Sequence, residues 1–319
     1  MHKLTDLQSM NGKLLKKQFS WVQTLWGMGV FGFLIFGLVS FYIFRDRSFD
    51  VLPYLSQRST PNNWASSVKI GIIGDSWVAG NVMNQAIQRV MLINGIPVEI
   101  VSSRHPGANS RQILRDLLSE DSQPYSSHKL LMDEDIDYLI VVAGVNDTGS
   151  HVGSDFYAHH VLRIIRLAQL RGIYPIVVEV PEYGIAYLPY TKFLSFAKHT
   201  IYRSLFDGWK HDVISDYRKA LRRLIPPSMK DSMTLVSFDP FIPDYSSQKH
   251  LYANPSHLNK KGFQQLGSFL AHNIVKTHNK RIQRDGLKAA PDSIGKSGHI
   301  RTPIPESFGH FRGVGRNNI

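Results

Sequence analysis

The sequence predicts an α/β domain built on a parallel β-sheet, preceded by one transmembrane helix. Two observations predict the domain: short β-rich runs alternate with amphipathic stretches between residues 68 and 276, and the stretches are long enough for helices. The membrane helix is predicted because no charged residue stands between Lys17 and Arg45. A chain of 319 residues that is 43% hydrophobic and 19% charged can bury a sizeable core, which excludes a largely disordered or fibrous protein.

The positive charge of the chain is concentrated at its two ends. The formal net charge is +12, but residues 48–276 contribute only 3 of it, because they carry 23 basic and 20 acidic side chains. A nucleic-acid-binding domain carries its basic residues on its folded part, so we exclude that class. The absence of cysteine excludes a disulfide scaffold, a thiol nucleophile and a cysteine-ligated metal site.

The apolar segment near the amino terminus predicts a membrane anchor. Residues 25–44 are almost wholly apolar, and twenty residues at helical rise span about 30 Å, the thickness of a bilayer's hydrocarbon core. A cleaved signal peptide is the alternative, which we disfavour because the segment is long and no small-x-small cleavage site follows it. Four lysines precede the segment and three arginines follow it, which favours a cytoplasmic amino terminus and an extracytoplasmic body.

These patterns divide the chain into five parts. We expect a basic cytoplasmic amino terminus (1–20), a transmembrane helix (21–44), a linker (45–67), the α/β domain (68–279) and a basic flexible tail (280–319). The tail is assigned by its composition, which is rich in Gly, Pro, Lys and Arg and shows no apolar periodicity.

Within the α/β domain, five strands and four of the helices can be placed. The predicted strands are Val68–Ile73, Val98–Ser102, Asp137–Ala143, Ile176–Val180 and Thr234–Phe238. The predicted helices are Asn84–Ile93, Arg111–Leu118, Phe156–Arg171 and Gly262–Lys276, with two further helical segments between strands four and five. Sheets of this kind bind their ligands outside the carboxyl ends of the strands. The residues that follow each strand are therefore the candidates for a functional site.

The turn after the first strand carries a candidate nucleophile. Ser76 lies in the run Gly-Asp-Ser-Trp, and a serine on a strand-to-helix turn can be exposed with backbone N–H groups beside it. The G-x-S-x-G elbow is excluded, because Val78 stands at its second glycine. On the evidence of this run alone, Ser76 could instead be a helix N-cap with no catalytic role.

The next two strand ends carry candidate donors for an oxyanion. Gly107 follows the second strand, where a glycine permits close backbone approach and can offer its N–H. Asn146 follows the third strand, and its side-chain amide can donate into the same pocket. The alternatives are an ordinary loop glycine and a helix cap, and we interpret the adjacent Asp147 as such a cap.

A candidate general base precedes the last helix. His257 lies in the run Asn254-Pro255-Ser256-His257, after the fifth strand, and a histidine there can accept a proton from Ser76. The chain has 14 histidines, and most histidines serve packing or the surface. His257 is singled out by the motifs that accompany it.

In this order the four motifs closely resemble the SGNH/GDSL hydrolase superfamily, and the resemblance spans nearly all of residues 68–276. It implies a flavodoxin-like three-layer α/β/α sandwich, the SGNH hydrolase fold, and acyl-transfer chemistry that uses neither a metal nor another cofactor. It implies that Ser76 is the nucleophile and that His257 is the base, which later protonates the leaving alcohol. The implied oxyanion hole consists of the Ser76 N–H, the Gly107 N–H and the Asn146 amide.

One position departs from the family pattern. The family places Asp three residues before the histidine, whereas this chain has Asn254. In a serine-protease triad, replacement of that Asp costs about 10⁴ in kcat, because it orients the imidazole and stabilises the imidazolium. Three possibilities follow: Asn254 or a backbone carbonyl orients His257, Asp239 or Asp244 substitutes for the missing carboxylate, or the site is slow or inactive. The intact remaining motifs favour a working dyad or a substituted triad.

The expected protein is a membrane-anchored SGNH-type serine esterase or O-acyltransferase. By analogy with the family, we expect it to act on acyl esters, chiefly O-acetyl esters, of extracytoplasmic glycans at the periplasmic face of a bacterial inner membrane. The expected partners are an acylated carbohydrate or another acyl ester, the lipid bilayer and polysaccharide-processing membrane proteins, with no nucleic acid. A lipid or lysophospholipid esterase is one alternative. An inactive glycan-binding or assembly component is the other.

Three further groups of residues carry weaker signals. An aromatic run is expected either to line a sugar or acyl pocket or to pack against the fold or the membrane surface. An acidic run at 133–135 is interpreted as a solvated turn, and the histidines at 151, 159 and 160 lack the spacing of metal ligands. The aromatic run consists of Tyr183, Tyr187, Tyr190, Phe193 and Phe196.

Overall fold

The computed structural model describes residues 24–41, 67–78, 80–119, 127–132, 135–188 and 193–289. The predicted cytoplasmic segment, nearly all of the predicted linker and the tail beyond residue 289 lie outside these residues, so the five-part division of the chain stays a prediction. The contacts between residues divide the chain into two units, with the boundary between Thr277 and His278. Of the second unit, the structure describes a helical stretch that ends at Ala289.

A parallel sheet of five strands forms the centre of the first unit. The strands lie in the order β2-β1-β3-β4-β5, and every neighbouring pair is parallel. They are β1 (Val68–Gly74), β2 (Val98–Arg104), β3 (Tyr138–Val142), β4 (Tyr174–Val178) and β5 (Thr234–Val236). This is the strand order of the flavodoxin-like fold, so the predicted fold class is confirmed. The order reverses between β1 and β3, and the crevice beyond the carboxyl ends of these two strands is where such sheets bind ligands.

The central strands are apolar along their whole length because both of their faces are covered. All five residues of β3 are buried, and so are six of the seven residues of β1. Parallel sheets covered by helices on both faces show continuous apolar runs of this kind, which is why these strands were detectable in the sequence.

Helices form the outer layers of the domain, which α1 (Thr24–Phe41) precedes in the chain. The helices that follow α1 are α2 (Asn81–Ile93), α3 (Ser110–Leu118), α4 (Ser127–Met132), α5 (Val145–Gly149), α6 (Ser154–Leu170), α7 (Phe193–Phe206), α8 (Ile214–Leu224) and α9 (Lys260–Ala289). Helix α6 packs between α3 and α8. Helices α2 and α9 pack closely together, because Gly267 has no side chain to displace the Met83 carbonyl and the Ala86 side chain.

The predicted strands and helices are all found, and all of their ends but one differ by no more than three residues. Strand β5 ends at Val236 rather than Phe238, and α9 begins at Lys260 and continues to Ala289, well past the predicted end at Lys276. Helices α4 and α5 were not predicted, because six and five residues are too few to show helical periodicity.

Helix α1 is long and apolar enough to cross a membrane. Over Thr24–Phe41 its mean hydropathy is 1.9, and none of it is buried. Its large apolar side chains, from Leu25 to Phe41, are exposed. A signal sequence near an amino terminus meets the same criterion of length and composition.

A short antiparallel hairpin follows the sheet. Its strands are β6 (Tyr252–Asn254) and β7 (His257–Leu258), and the pairing is irregular between Tyr252 and Asn254. The hairpin lies outside the five-stranded sheet and carries the predicted base together with Asn254.

Candidate active site

Ser76 begins a single turn of 3₁₀ helix, Ser76–Val78, directly after β1. Gly74 is needed at the end of the strand because a Cβ there would collide with the Val142 carbonyl oxygen of β3. The turn is then closed by Asp75, whose Oδ1 accepts the Trp77 N–H over 2.9 Å. Trp77 and Val78 are buried while Ser76 is half-buried, so the turn places the serine side chain outward at the carboxyl edge of the sheet.

His257 reaches Ser76 from the hairpin. Its Nε2 lies 2.9 Å from Ser76 Oγ, although 181 positions separate the two residues in the chain. Its Nδ1 lies 3.1 Å from Asn254 Oδ1 and 3.0 Å from Ser256 Oγ. With the proton on Nδ1, the imidazole donates to Asn254 and keeps its Nε2 lone pair for the serine hydroxyl.

The orientation of the Asn254 amide follows from a third contact. Its Oδ1 also accepts the backbone N–H of Ser256 over 3.0 Å, and an N–H requires an acceptor. The atom that faces His257 is therefore the amide oxygen and not the NH₂ group. Asn254 thus selects the same imidazole tautomer that an Asp at this position would select.

Two hydrogen bonds fix the hairpin against the body of the domain. The indole Nε1–H of Trp77 donates to the carbonyl oxygen of Ser256 over 2.9 Å. On the other side, the N–H of Gly184 donates to the Pro255 carbonyl over 2.7 Å. The two residues that precede His257 in the chain are therefore held from both sides.

Gly107 lies in a tight turn after β2. The N–H of Ala108 donates to the His105 carbonyl over 3.0 Å, so residues 105–108 form a β-turn with Pro106 and Gly107 in the middle. Gly107 has φ +78°, the left-handed conformation that the third position of a type II turn requires and that glycine adopts without strain. The sequence Pro-Gly thus determines the local backbone at one of the predicted oxyanion donors.

Asn146 is the second residue of α5 and is directed toward that same turn. Its Nδ2 donates to the Ala108 carbonyl over 3.0 Å. The helix begins after Gly144, whose φ of +123° and close contact with the side chains of Val180 and Tyr157 leave no room for a Cβ. The structure therefore brings Gly107 and Asn146 together at the carboxyl ends of β2 and β3, the two strands that flank β1.

Asp147 does not cap its own helix, contrary to our interpretation of the sequence. Its carboxylate is fully buried and accepts both the N–H of Ser110 (2.8 Å) and the Ser110 hydroxyl (2.6 Å), so it holds the first residue of α3. Burial raises the pKa of Asp147 to about 6. Burial likewise raises the pKa of Asp75, next to the nucleophile, to about 7, and the nearby charge of Asp147 contributes in the same direction.

Asp239 and Asp244 are engaged away from His257. Asp239 Oδ1 accepts a hydrogen bond from Arg218 Nη1 over 2.5 Å. Asp244 accepts hydrogen bonds from the hydroxyl of Ser246 and the backbone N–H of the following residue. Among the described residues, the hydrogen-bond partners of His257 Nδ1 are the side chains of Asn254 and Ser256.

The aromatic run divides between packing and exposure. Tyr183 is buried, and its hydroxyl hydrogen-bonds with the Thr148 hydroxyl over 2.8 Å, so it packs against α5. Tyr187 and Phe196 are more than half exposed. The position of Tyr190 and the side chain of Phe193 lie outside the described residues.

Within the described part of the chain, no group of three or more His, Asp or Glu residues is arranged to hold a metal ion. Of the acidic run at 133–135, the first two residues are not among those described. The contact between Trp77 and Ser256 was missed by the sequence analysis. Its one signal was a tryptophan directly after the nucleophile, since a buried indole N–H requires an acceptor.

Comparison with solved structures finds esterases and lipases of similar fold. A lipase/acylhydrolase from Enterococcus faecalis is 15% identical, with 65% of this chain and 95% of that chain covered and a TM-score of 0.43. An acetylxylan esterase from Geobacillus stearothermophilus is 13% identical, with 67% and 96% covered and a TM-score of 0.45. A carbohydrate esterase of family 3 from Talaromyces cellulolyticus is 13% identical, with 66% and 97% covered and a TM-score of 0.41.

No family model matches the sequence, and no curated protein matches it either. At identities of 13–15%, the likeness to the solved structures concerns the fold alone, and the chemistry must be argued from this chain's own residues. The chain is similar to these esterases and acylhydrolases in its fold.

Proposed function

We propose that this chain is a serine esterase or O-acyltransferase that works through an acyl-Ser76 intermediate. The observation that carries the proposal is the 2.9 Å contact between Ser76 Oγ and His257 Nε2, with the other imidazole nitrogen held by an amide oxygen. A nucleophile within hydrogen-bond reach of a base, with the base oriented by a third group, is the arrangement that activates a serine.

In the first half of the reaction, Ser76 Oγ attacks the ester carbonyl carbon while His257 Nε2 takes the hydroxyl proton. The carbonyl oxygen becomes an oxyanion, which the N–H groups of Ser76 and Gly107 and the amide of Asn146 stabilise. As the tetrahedral intermediate collapses, the bond to the leaving oxygen breaks. That oxygen receives the proton from His257 and departs as an alcohol.

In the second half, the acyl group passes from Ser76 to an acceptor hydroxyl. His257 takes the acceptor's proton, the acceptor oxygen attacks the acyl carbon, and Ser76 Oγ leaves with that proton. When the acceptor is water the product is a carboxylic acid. When it is a sugar hydroxyl the product is a new ester.

Asn254 supports this mechanism in part. Its oxygen holds the imidazole in the productive tautomer, but a neutral amide gives the imidazolium less electrostatic stabilisation than a carboxylate gives. We therefore propose a working dyad, slower than one with Asp at this position. Asp239 is not assigned to it, since its carboxylate pairs with Arg218.

We further propose that the domain is anchored by α1 and acts on O-acyl esters, chiefly O-acetyl esters, of extracytoplasmic glycans. The length and hydropathy of α1 and the lysines that precede it support an anchor with the domain outside the cytoplasm. The glycan substrate is supported by an exposed aromatic side chain, Tyr187, in the loop that contacts the hairpin of His257.

Labelling with a fluorophosphonate tests the nucleophile. The full chain in detergent is expected to form a covalent adduct and to hydrolyse p-nitrophenyl acetate, and Ser76→Ala abolishes both. Ser204→Ala is the matched control, because the Ser204 hydroxyl donates to the Ile201 carbonyl of its own helix. Absence of adduct and turnover in the unaltered chain would refute the proposal. A preference for long over short acyl chains would replace the glycan with a lipid ester.

The second candidate is an inactive glycan-binding component. It is favoured by the absence of a carboxylate among the described partners of the His257 imidazole. Binding of an acetylated oligosaccharide that is equal in the unaltered chain and in Ser76→Ala, with no turnover by either, would establish it.

A further inference from the structure

Tyr187 lies in a loop whose first residues contact the hairpin of the candidate active site. It ends a one-turn 3₁₀ helix, Ile185–Tyr187, in the loop that follows β4 at the carboxyl edge of the sheet. The N–H of Gly184, directly before this turn, donates to the Pro255 carbonyl of the hairpin that carries His257. A Cβ on Gly184 would lie only 3.1 Å from the Pro255 side chain, so the two segments are in direct contact.

The same loop also contacts the helix that carries Asn146. The hydroxyl of Tyr183 donates to the Val145 carbonyl over 3.2 Å and hydrogen-bonds with the Thr148 hydroxyl. The loop after β4 is therefore fixed between an oxyanion donor on one side and the base on the other. Tyr187 ends the short turn that follows Tyr183 and Gly184 in this loop.

A chain of aromatic contacts supports the ring of Tyr187 from below. Its centroid lies 5.6 Å from that of Tyr245, Tyr245 lies 4.7 Å from Tyr252, and Tyr252 lies 6.3 Å from Trp77. Tyr187 is 57% exposed, whereas Tyr252 and Trp77 are buried. The exposed ring is thus the outer end of a packed series that begins behind the nucleophile, so its position is fixed before a ligand arrives.

The face of the exposed ring already attracts positive charge. Lys249 Nζ lies 4.9 Å from the Tyr187 centroid and 5.9 Å from that of Tyr245. At an exposed site such a cation–π contact is worth about 0.5–1 kcal/mol, so a ligand can displace the ammonium at little cost. Sugar C–H groups carry partial positive charge and suit the same π face, and a displaced ammonium can donate to the sugar's hydroxyl groups.

We propose that Tyr187, with Lys249 beside it, is a binding subsite for the sugar ring that carries the scissile ester. This inference rests on the proposed function and gives its substrate class a structural basis. A sugar is favoured over an acyl chain for the following reason. The Tyr187 ring is exposed to solvent and has the Lys249 ammonium beside it, which suits a ligand with one apolar face and polar edges. An acyl chain would require an enclosed apolar pocket.

Kinetics on three esters test the subsite in the full chain. The esters are acetylated xylo-oligosaccharide, p-nitrophenyl acetate and p-nitrophenyl octanoate, and the variants are Tyr187→Ala, Tyr187→Phe and Lys249→Met. In Tyr187→Ala, we expect the ratio of kcat/KM on the acetylated sugar to kcat/KM on p-nitrophenyl acetate to fall about tenfold or more. Tyr187→Phe keeps the ring and should restore most of the ratio, and Lys249→Met should lower it less than Tyr187→Ala.

The control is Leu92→Ala, which removes an apolar side chain at the far end of α2 that is even more exposed than Tyr187, and it should leave the ratio unchanged. An unchanged ratio in Tyr187→Ala, or a fall confined to the octanoate, overturns the subsite while the esterase function stands. If the unaltered chain has no Ser76-dependent hydrolysis of p-nitrophenyl acetate, the proposed function fails instead. The subsite is then judged by titrating the same oligosaccharide into Ser76→Ala, where loss of binding on adding Tyr187→Ala supports it and equal binding overturns it.

Discussion

The indole of Trp77 donates its N–H to the carbonyl of Ser256 over 2.9 Å, which joins the residue after the candidate nucleophile to the residue before the candidate base. The indole is wholly buried and packs edge-on against Phe238, Tyr252 and Phe263. One rigid side chain thus sets the distance between the serine turn and the hairpin. Proton transfer from the serine to the histidine depends on this distance, because a misplacement of about 1 Å can lower the rate about 10²-fold.

Trp77→Phe tests this relationship. Phenylalanine keeps most of the packing but cannot donate, so we expect kcat on p-nitrophenyl acetate to fall about tenfold, the equivalent of one lost hydrogen bond, with KM nearly unchanged. Phe263→Leu is the control, because Phe263 contacts the same indole without the hydrogen bond and its replacement should lower Tm but spare kcat. If Trp77→Phe lowers Tm alone, the indole serves stability and not positioning.

Asn254→Asp tests the orienting residue. A carboxylate at this position can still accept the Ser256 N–H and the imidazole N–H, and it stabilises the imidazolium that forms during acylation. We expect kcat to rise roughly tenfold or more, and the acidic limb of the pH–rate profile to move to higher pH. Asn254→Ala should lower kcat, because the tautomer is then no longer selected. Equal rates in all three proteins would contradict an orienting role.

Asp239→Asn tests whether Asp239 substitutes for the missing triad carboxylate. The Asp239 carboxylate pairs with Arg218 and is not among the described hydrogen-bond partners of His257, so we expect no change in kcat on p-nitrophenyl acetate. A loss approaching the 10⁴ seen on replacing a triad Asp would show instead that Asp239 reaches the imidazole during turnover.

The pH dependence of stability is predicted from Asp75. Burial raises its pKa in the folded chain to about 7, from an ordinary value of 3.8. A carboxyl with a raised pKa favours folding in its protonated form, so its contribution is complete below about pH 4 and is lost as the pH rises through about 7. Asp75→Asn keeps the oxygen that accepts the Trp77 N–H but does not titrate. We therefore expect its free energy of unfolding, relative to the unaltered chain, to increase from pH 4 to pH 8 in urea titrations.

Asp244→Asn provides a control of opposite sign. Hydrogen bonds from Ser246 and Ser247 lower the pKa of this exposed carboxyl. Its stabilising contribution is therefore present above its ordinary pKa and lost as the pH falls. The variant should become relatively less stable as the pH rises. A pH dependence of the same sign in both variants would contradict the assignment to Asp75.

The fold could be predicted, and three of the candidate site residues could be proposed, because their signals are local. Apolar runs such as β3 end where glycine or polar residues begin, and parallel strands place Ser76, Gly107 and Asn146 at one edge of the sheet. His257 was identified by its place after the other three motifs in the chain, because a single histidine carries no signal of its own.

The remaining features depend on contacts between distant parts of the chain. The hydrogen bond between Trp77 and Ser256 joins residues 179 positions apart, and that between Asp147 and Ser110 joins residues 37 apart. No periodicity or local spacing encodes either contact. The sequence suggested that Asp147 caps its own helix because capping is the commonest local use of such a residue, and only the packing of α3 beside α5 gives it a different partner.

Arg218 is buried behind the hairpin. Its Nε donates to the Val180 carbonyl over 2.9 Å, and its Nη2 donates to Glu182 over 3.2 Å. The carbonyl of Glu182 in turn accepts the hydroxyl of Tyr252 in the hairpin, so the guanidinium supports the segment that positions the base. Burial raises the pKa of Glu182 to about 7, against the opposing effect of the Arg218 charge.

Arg218→Met should therefore lower the free energy of unfolding by about 3 kcal/mol at pH 8, because it leaves a largely buried carboxylate without its counter-charge. The loss of unfolding free energy should be smaller at pH 5, where Glu182 is protonated and uncharged. Adding Glu182→Gln to Arg218→Met should recover part of the stability at pH 8, since the unpaired charge is then absent. Urea unfolding of the two variants at both pH values measures this coupling. Equal losses at pH 5 and pH 8, with no recovery in the double variant, would show that Arg218 stabilises the chain through packing rather than through its charge.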